Sequence, residues 1–196
     1  MMKTGLLLAV LGGLAPTAWA QGPVVAGVAP VMEGGVGYTY MRSSVPSETT
    51  LGMNGVLLSG SADFAARWGV KVELGYSRVG DAFQTGRSAD LLTYMGGPVI
   101  YPIWHRRYDI YAQVLLGGAR ETGVNVDANE DLIRGYVNRF AWAGGGGLQY
   151  RVTPSLSVRG GVDYLRSSFF NSNVIQTGQS NLRTSVSVVY TFGRRE

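Results

Sequence analysis

The feature that most limits the fold is an alternation of apolar and polar residues with a period of two. Val36, Tyr38 and Tyr40 alternate with Gly35, Gly37 and Thr39, and Val70, Val72, Leu74 and Tyr76 alternate with Lys71, Glu73, Gly75 and Ser77. The same pattern sets Leu156, Val158, Val162 and Tyr164 against Ser157, Arg159, Gly161 and Asp163. It returns in Leu182, Val186, Val188, Tyr190 and Phe192 against Arg183, Ser185, Ser187, Val189 and Thr191. Successive side chains of a strand point to opposite faces, so each stretch predicts a strand with one apolar and one polar face. No comparable stretch repeats at the helical spacing. Eight such segments can be placed, at about 31–41, 53–65, 69–78, 89–101, 108–119, 137–150, 155–166 and 181–192. The fourth and fifth are the least clean, because Leu91-Leu92 and Leu115-Leu116 put apolar residues on both faces. Pro98 has no N–H for a ladder and is expected to mark a bulge or the end of its strand.

The connections alternate as well. Those near 66–68, 102–107 and 151–154 are short, and those near 42–52, 79–88, 120–136 and 167–180 are longer and polar. Hairpins that are tight at one end and long at the other describe an all-β, up-and-down antiparallel sheet of eight strands, closed as a barrel. The first twenty residues stand outside it. Lys3 precedes an apolar core from Leu6 to about Leu14, and Ala18-Trp19-Ala20 fits an A-x-A cleavage site before Gln21. That is the form of a secretory signal peptide; the alternative, a membrane anchor, would need about 20 apolar residues. The expected organisation is a cleaved leader at 1–20, a short segment at 21–30, the barrel at 31–192 and a tail at 193–196.

Composition removes several kinds of chemistry. The 196 residues contain no Cys and a single His, His105, so disulfides, thiolate metal sites and most histidine-based catalysis are excluded. The net charge of +4 comes almost wholly from Arg, with Lys3 and Lys71 the only lysines and no basic run longer than two residues. No nucleic-acid footprint is expected from that.

The same alternation suits a water-soluble barrel with an apolar interior or a membrane barrel with an apolar exterior. Three features favour the membrane. The segments are long enough, since about ten tilted residues cross a bilayer. Aromatic residues crowd both strand ends: Phe64, Trp68, Tyr101, Trp104, Tyr108, Tyr150, Tyr190 and Phe192 near the short turns, and Tyr38, Tyr40, Tyr76, Phe140, Trp142 and Tyr164 near the long ones. Two girdles of this kind are expected where a barrel meets its two interfaces. Charges of both signs, Glu33, Lys71, Glu73, Arg139, Arg159, Asp163 and Arg183, fall on the polar stripe. A small membrane barrel would turn them inward and pair them. Glycine pairs or runs at Gly34-Gly35, Gly96-Gly97, Gly117-Gly118, Gly144 to Gly147 and Gly160-Gly161 would then make room for Arg and Glu in a narrow interior, or bend the strands.

On these residues the chain resembles the eight-stranded outer-membrane barrels of the OmpA transmembrane-domain and opacity-protein type, over about residues 31–192. The resemblance implies a Gram-negative-type outer membrane, outer-membrane lipid as surroundings and no cofactor. Its final strand, within 182–192 and ending in Tyr190-Thr191-Phe192, is similar to the signal by which such barrels are recognised by the insertion machinery.

The candidate chemistry is thin. A serine–histidine deacylase would need its His near the outer rim, whereas His105 lies in a short turn at the other end, beside Arg106 and Arg107. Asp127, Asn129, Glu130 and Asp131 lack the alternating spacing and the turn glycine of a calcium loop. Phe169-Phe170 is either a loop contact point or an extension of a girdle. No catalytic, cofactor or metal residue is expected. The leading reading is a non-enzymatic barrel with a plugged lumen whose four long loops serve structure or adhesion, with the surface ligand undefined. A small pore of the same fold, and a secreted soluble barrel that binds a hydrophobic ligand, are the alternatives.

Overall fold

The computed structural model describes residues 31–44, 50–65, 67–80, 88–126, 132–172 and 175–192. The expected leader, the 21–30 segment, the 193–196 tail and the acidic run at 127–131 lie outside the described residues. Eight strands follow in order: β1 (Val31–Ser44), β2 (Thr50–Ala65), β3 (Trp68–Val79), β4 (Ala89–Trp104), β5 (Tyr108–Val126), β6 (Leu132–Arg151), β7 (Leu156–Ser172) and β8 (Ile175–Phe192). Each pairs antiparallel with its neighbours, and β1 pairs with β8 to close the barrel. Closure matters because lipid offers no partner for a free N–H or C=O; a barrel without edges is one of two ways to cross a bilayer. Among the described residues no helix is long and apolar enough to cross a membrane.

The alternation becomes the two faces of the wall. In β3 the residues read exposed and buried in strict turn, with Val70, Val72, Leu74 and Tyr76 outside and Lys71, Glu73 and Ser77 inside. The large aliphatic side chains that a soluble protein would bury stand exposed on every strand: Val36, Val56, Leu58, Val114, Leu116, Val162 and Val186 are examples. Every charge of the strand interior and most of its polar residues lie inside, beside a set of buried apolar ones. This is the membrane arrangement of the stripe, not that of a soluble barrel with a greasy pocket.

Two expectations about the strands are corrected. Pro98 marks neither a bulge nor a strand end. It lies within β4 and faces outward; the ladder to β3 runs through it, and that to β5 skips Gly97 and Pro98 without a change of register. The bulge of that hairpin comes later, between Ile100 and Ile103. The long connections are also shorter than their composition suggested. β5 and β6 stay paired up to Val126 and Leu132, and β7 and β8 up to Ser172 and Ile175. Polar sequence had read as loop, but a ladder is made by backbone groups and tolerates polar side chains on both faces. Phe169 and Phe170 therefore belong to β7, with side chains outside those described.

The glycine pairs are divided between the faces, as the strand period requires, so only one member of each can serve the lumen. Gly161 does so: a Cβ there would collide with the hydroxyl of Tyr111, whose ring fills the space. Gly118 does the same on the outside, where the ring of Tyr94 covers it and leaves no room for a side chain.

Candidate functional site

Six of the seven charges expected in the lumen are buried there: Glu33, Lys71, Glu73, Arg159, Asp163 and Arg183, each no more than 5% exposed. They form two groups, each tying together strands that are not neighbours. In the first, Glu73 of β3 accepts from Lys71 Nζ at 2.7 Å and from Arg183 of β8. Arg183 also donates to Asp163 Oδ2 of β7 at 2.7 Å. Gln113 of β5 bridges the set, accepting from Lys71 Nζ and donating to Asp163 Oδ1, both at 2.8 Å. In the second, Arg159 of β7 pairs with Glu33 of β1 and donates to Gln149 of β6. Gln149 Nε2 donates to Glu33 Oε1 at 3.1 Å, and the hydroxyls of Ser61 and Thr191 also donate to Glu33. The ring of Tyr111 joins the groups, with Lys71 Nζ 5.2 Å and Arg159 Cζ 5.3 Å from its centroid. Within these two groups three cations face three carboxylates, so their charges balance and each is hydrogen-bonded. A buried charge is tolerated only on those terms.

Arg139 does not join them. It has the inward parity of its strand, opposite Ala119, but lies on the long-loop side of the barrel and is exposed. Alternation defines the face a residue is on, not its height. β6 carries Arg139 past the apolar residues that close the lumen, so its guanidinium reaches water instead of a carboxylate.

Apolar residues share the interior with the charges. Met95, Leu115, Ala143 and Leu165 pack together, and Met41, Met53, Leu91, Ala119 and Ala141 form a second cluster. Along β5 the inward positions pass from Tyr111 and Gln113 to Leu115 and then Ala119 as the strand runs from short turn to long loop. These two clusters thus lie on the long-loop side of the charges, and a third, of Val99, Tyr101 and Tyr111, lies toward the short turns. At the opposite end Arg151 closes the floor, pairing with Asp109, donating to the carbonyl oxygens of His105 and Arg106, and lying over the Trp104 ring. His105 itself is exposed in this turn and stacks on Tyr108 at 4.9 Å.

The expected interface aromatics Tyr38, Tyr40, Trp68, Tyr76, Trp142, Tyr150, Tyr164, Tyr190 and Phe192 face outward and are exposed. Trp104 is a correction: past the bulge of β4 it is level with the inward Asp109, and its ring lies against Tyr101 and Arg151 at the floor of the barrel. Several sit in pairs, such as Tyr190 with Phe192 at 4.9 Å and Trp142 with Tyr164 at 5.8 Å. Tyr101 is a correction to the short-turn girdle. It points inward, is 1% exposed and donates to Asp63. The lumen also holds members that charge alone did not identify: Gln113, Gln149 and Tyr111. Their parity was the available signal, since each shares its face with known inward residues of its strand. Tyr94 likewise adds to the outer girdle. Among the described residues no group of three His, Asp or Glu could hold a metal ion.

A family model described as the outer membrane protein beta-barrel domain matches residues 6–192. No curated protein matches the sequence. Among solved structures, the chain is similar to Ail, the attachment invasion locus protein of Yersinia pestis, with 17% identity and a TM-score of 0.60 over 84% of this chain and 100% of that one. A further structure of Ail is in complex with the heparin analogue sucrose octasulfate. Neisserial surface protein A is similar over 82% of this chain and 97% of its own, with 12% identity and a TM-score of 0.66. OprG from Pseudomonas aeruginosa is similar over 84% and 96%, with 15% identity and a TM-score of 0.52.

Proposed function

Because this chain belongs to the outer membrane protein β-barrel domain family, we propose that it is a non-conducting, non-enzymatic scaffold that holds surface hairpins outside a bacterial cell. The observation that carries this reading is the filled lumen: paired charges in one half, packed apolar side chains in the other. Eight-stranded barrels have an interior just wide enough for side chains to fill, so a filled lumen leaves the work to the ends. At the long-loop end the β5–β6 ladder continues eight residues past Gly118, to Val126. At about 3.4 Å per residue this is a ribbon of about 27 Å, long enough to stand clear of the membrane surface. Exposed hairpins on a rigid support are a common seat of recognition.

Two measurements test the reading. Refolded protein in planar bilayers should give no steady conductance over many insertions; a reproducible open level would overturn the closed lumen. Cells displaying the full chain should adhere to host-cell or matrix surfaces more than cells displaying a form lacking residues 124–134. Equal adhesion would remove the role of the ribbon.

One observation favours a small pore as the second reading. Arg183 Nη1, Asn181 Oδ1 and Ser167 Oγ are buried and hydrogen-bond to none of the described residues. They climb the β7–β8 side of the lumen beside the apolar clusters, and buried polar groups of this kind commonly take water. A conductance that disappears on Asn181→Leu would favour this path.

The leader is part of the proposal too. Ala18-Trp19-Ala20 supports cleavage before Gln21, and intact mass of protein recovered from outer membranes should correspond to a chain starting there. The Tyr190-Thr191-Phe192 ending supports delivery to the insertion machinery, so Phe192→Ala should lower the yield of folded protein in cells.

A further inference from the structure

Four arginines, Arg42, Arg78, Arg120 and Arg166, are exposed near the long-loop ends of β1, β3, β5 and β7. Each has the outward parity of its strand. Each is preceded by two residues, on the same face, by an aromatic position. Tyr40, Tyr76 and Tyr164 fill three of these positions, and the fourth is Gly118, over which the ring of Tyr94 from β4 lies. A Tyr-x-Arg unit is thus built on every strand that runs toward the long loops, once with its tyrosine supplied from next door. Side chains at i and i+2 of a strand are about 7 Å apart on one face. Each unit therefore stacks a guanidinium directly above a phenol, on the side away from the short turns.

The register puts the four at one height. Across β8, Arg42 is level in the ladder with Tyr164, two residues below Arg166. Across β6, Arg166 is level with Leu116, four residues below Arg120. Across β4, Arg120 is level with Tyr76, two below Arg78, and across β2, Arg78 is level with Tyr40, two below Arg42. The strands of a barrel are tilted, so a level line round the wall must climb through the ladder by a roughly constant step. Steps of two, four, two and two residues follow that climb to within about one residue, or about 3 Å of height. The arginines therefore form a ring, with backbones of neighbours about 12 Å apart, and about 17 Å between Arg166 and Arg120. On the outer face of this rim the described acidic residue is Asp90, 3.5 Å from Arg78, whose side chain remains 59% exposed. Among the described residues Arg42 and Arg166 meet no carboxylate.

We propose that this ring is a collar for lipid-borne phosphate, and that its ligand is the phosphorylated glycolipid headgroup of the leaflet surrounding the long-loop end. The tyrosines lie where an amphipathic ring prefers to sit, at the border of acyl chains and headgroups. The guanidiniums stand one step further out, where phosphate oxygens begin, and their planar fork bonds phosphate through two N–H groups at once. Four of them at one level match a layer of headgroups, not a single soluble ion. The collar rests on the barrel's membership in the outer-membrane family and not on the proposed role of the hairpins.

The test uses the full chain, refolded in a nonionic detergent and titrated by native mass spectrometry with bisphosphorylated lipid A. The controls are the same lipid stripped of phosphate, inorganic phosphate, and sucrose octasulfate as a soluble polyanion. Lipid A should bind the wild type at least tenfold more tightly than the stripped lipid does. The quadruple variant Arg42→Gln, Arg78→Gln, Arg120→Gln, Arg166→Gln should lose at least tenfold, while its heat-modifiable gel migration reports an intact barrel. If that variant does not fold, the pair Arg42→Gln, Arg166→Gln, flanking β8, should lose at least threefold. Equal binding by the variants, or of the stripped lipid, overturns the proposal. Tighter binding of sucrose octasulfate or inorganic phosphate than of lipid A would reassign the ring to soluble anions and overturn it equally.

Discussion

Along β5 the inward positions change character halfway. Tyr111 and Gln113 sit among Lys71, Arg159 and Asp163, whereas Leu115 and Ala119 belong to the two apolar clusters. Both stretches fill the same tube, and their physics differs. Ion pairs and hydrogen bonds are directional, so each partner must arrive at one register. Apolar contacts need volume and little else. The charged half joins β1 to β7 and β3 to β8, pairs that share no ladder. It can therefore report a slip of register that the ladders alone would tolerate, because a shift of one residue exchanges the inner and outer faces. The apolar half can report only a missing atom.

The largest effect should come from breaking the charged half. Arg159→Met leaves Glu33 buried with hydrogen bonds but without its cation, and should cost about 3–5 kcal/mol. Urea unfolding of the refolded protein in lipid vesicles measures it. Adding Glu33→Leu should restore most of the loss, since a buried pair replaced by apolar groups of similar volume is often neutral. A single-variant cost below about 1 kcal/mol would mean that the charges are solvated in place and do not specify the lumen.

In the apolar half, Leu115→Ala should cost about 2–5 kcal/mol, through lost transfer energy and the cavity left behind. Met95→Leu, which keeps the volume, should cost less than about 1.5 kcal/mol. The same unfolding assay compares them. A costly Met95→Leu would show that this half is specified by shape and would erase the contrast with its neighbour.

The charged half can also be probed by volume, at a position level with Tyr111 across β6. Gly161→Ala would drive a methyl group into the Tyr111 hydroxyl and should cost about 1–3 kcal/mol by overpacking. A Tyr111→Phe background, which removes that hydroxyl, should relieve much of the cost.

The contrast itself was only partly legible in the sequence. Period two separates the faces without reference to anything distant, which is why β3 and β8 could be read residue by residue. Charge on the polar stripe then identified Glu33, Glu73 and Arg183 as lumen residues. Neutral members of the network carry no such mark: Gln113 and Gln149 look like solvated strand residues until Glu33 and Asp163 arrive from other strands. Leu91-Leu92 and Leu115-Leu116 looked like defects in the alternation. They are the places where the lumen turns apolar, so that both faces of the wall need an apolar residue. Tyr101 was misread for a related reason. An aromatic residue at a strand end suits either the membrane interface or a barrel floor, and only its parity relative to Val99 distinguishes them.

The smallest effect should belong to Arg139. Parity groups it with the inward charges, but exposure separates it from them, so it tests whether height or face decides what a lumen charge is worth. An exposed arginine without a buried partner usually changes stability by no more than about 0.5 kcal/mol when replaced. Arg139→Gln should therefore leave urea unfolding unchanged within that range, in the assay that registers Arg159→Met strongly. The two guanidiniums lie on the same side of the sheet, and what separates them is the layer built on Met41, Met53, Leu91, Ala119 and Ala141. If Arg139→Gln proved as costly as Arg159→Met, that layer would not be the boundary between lumen and water, and the charged interior would have to reach the mouth of the barrel.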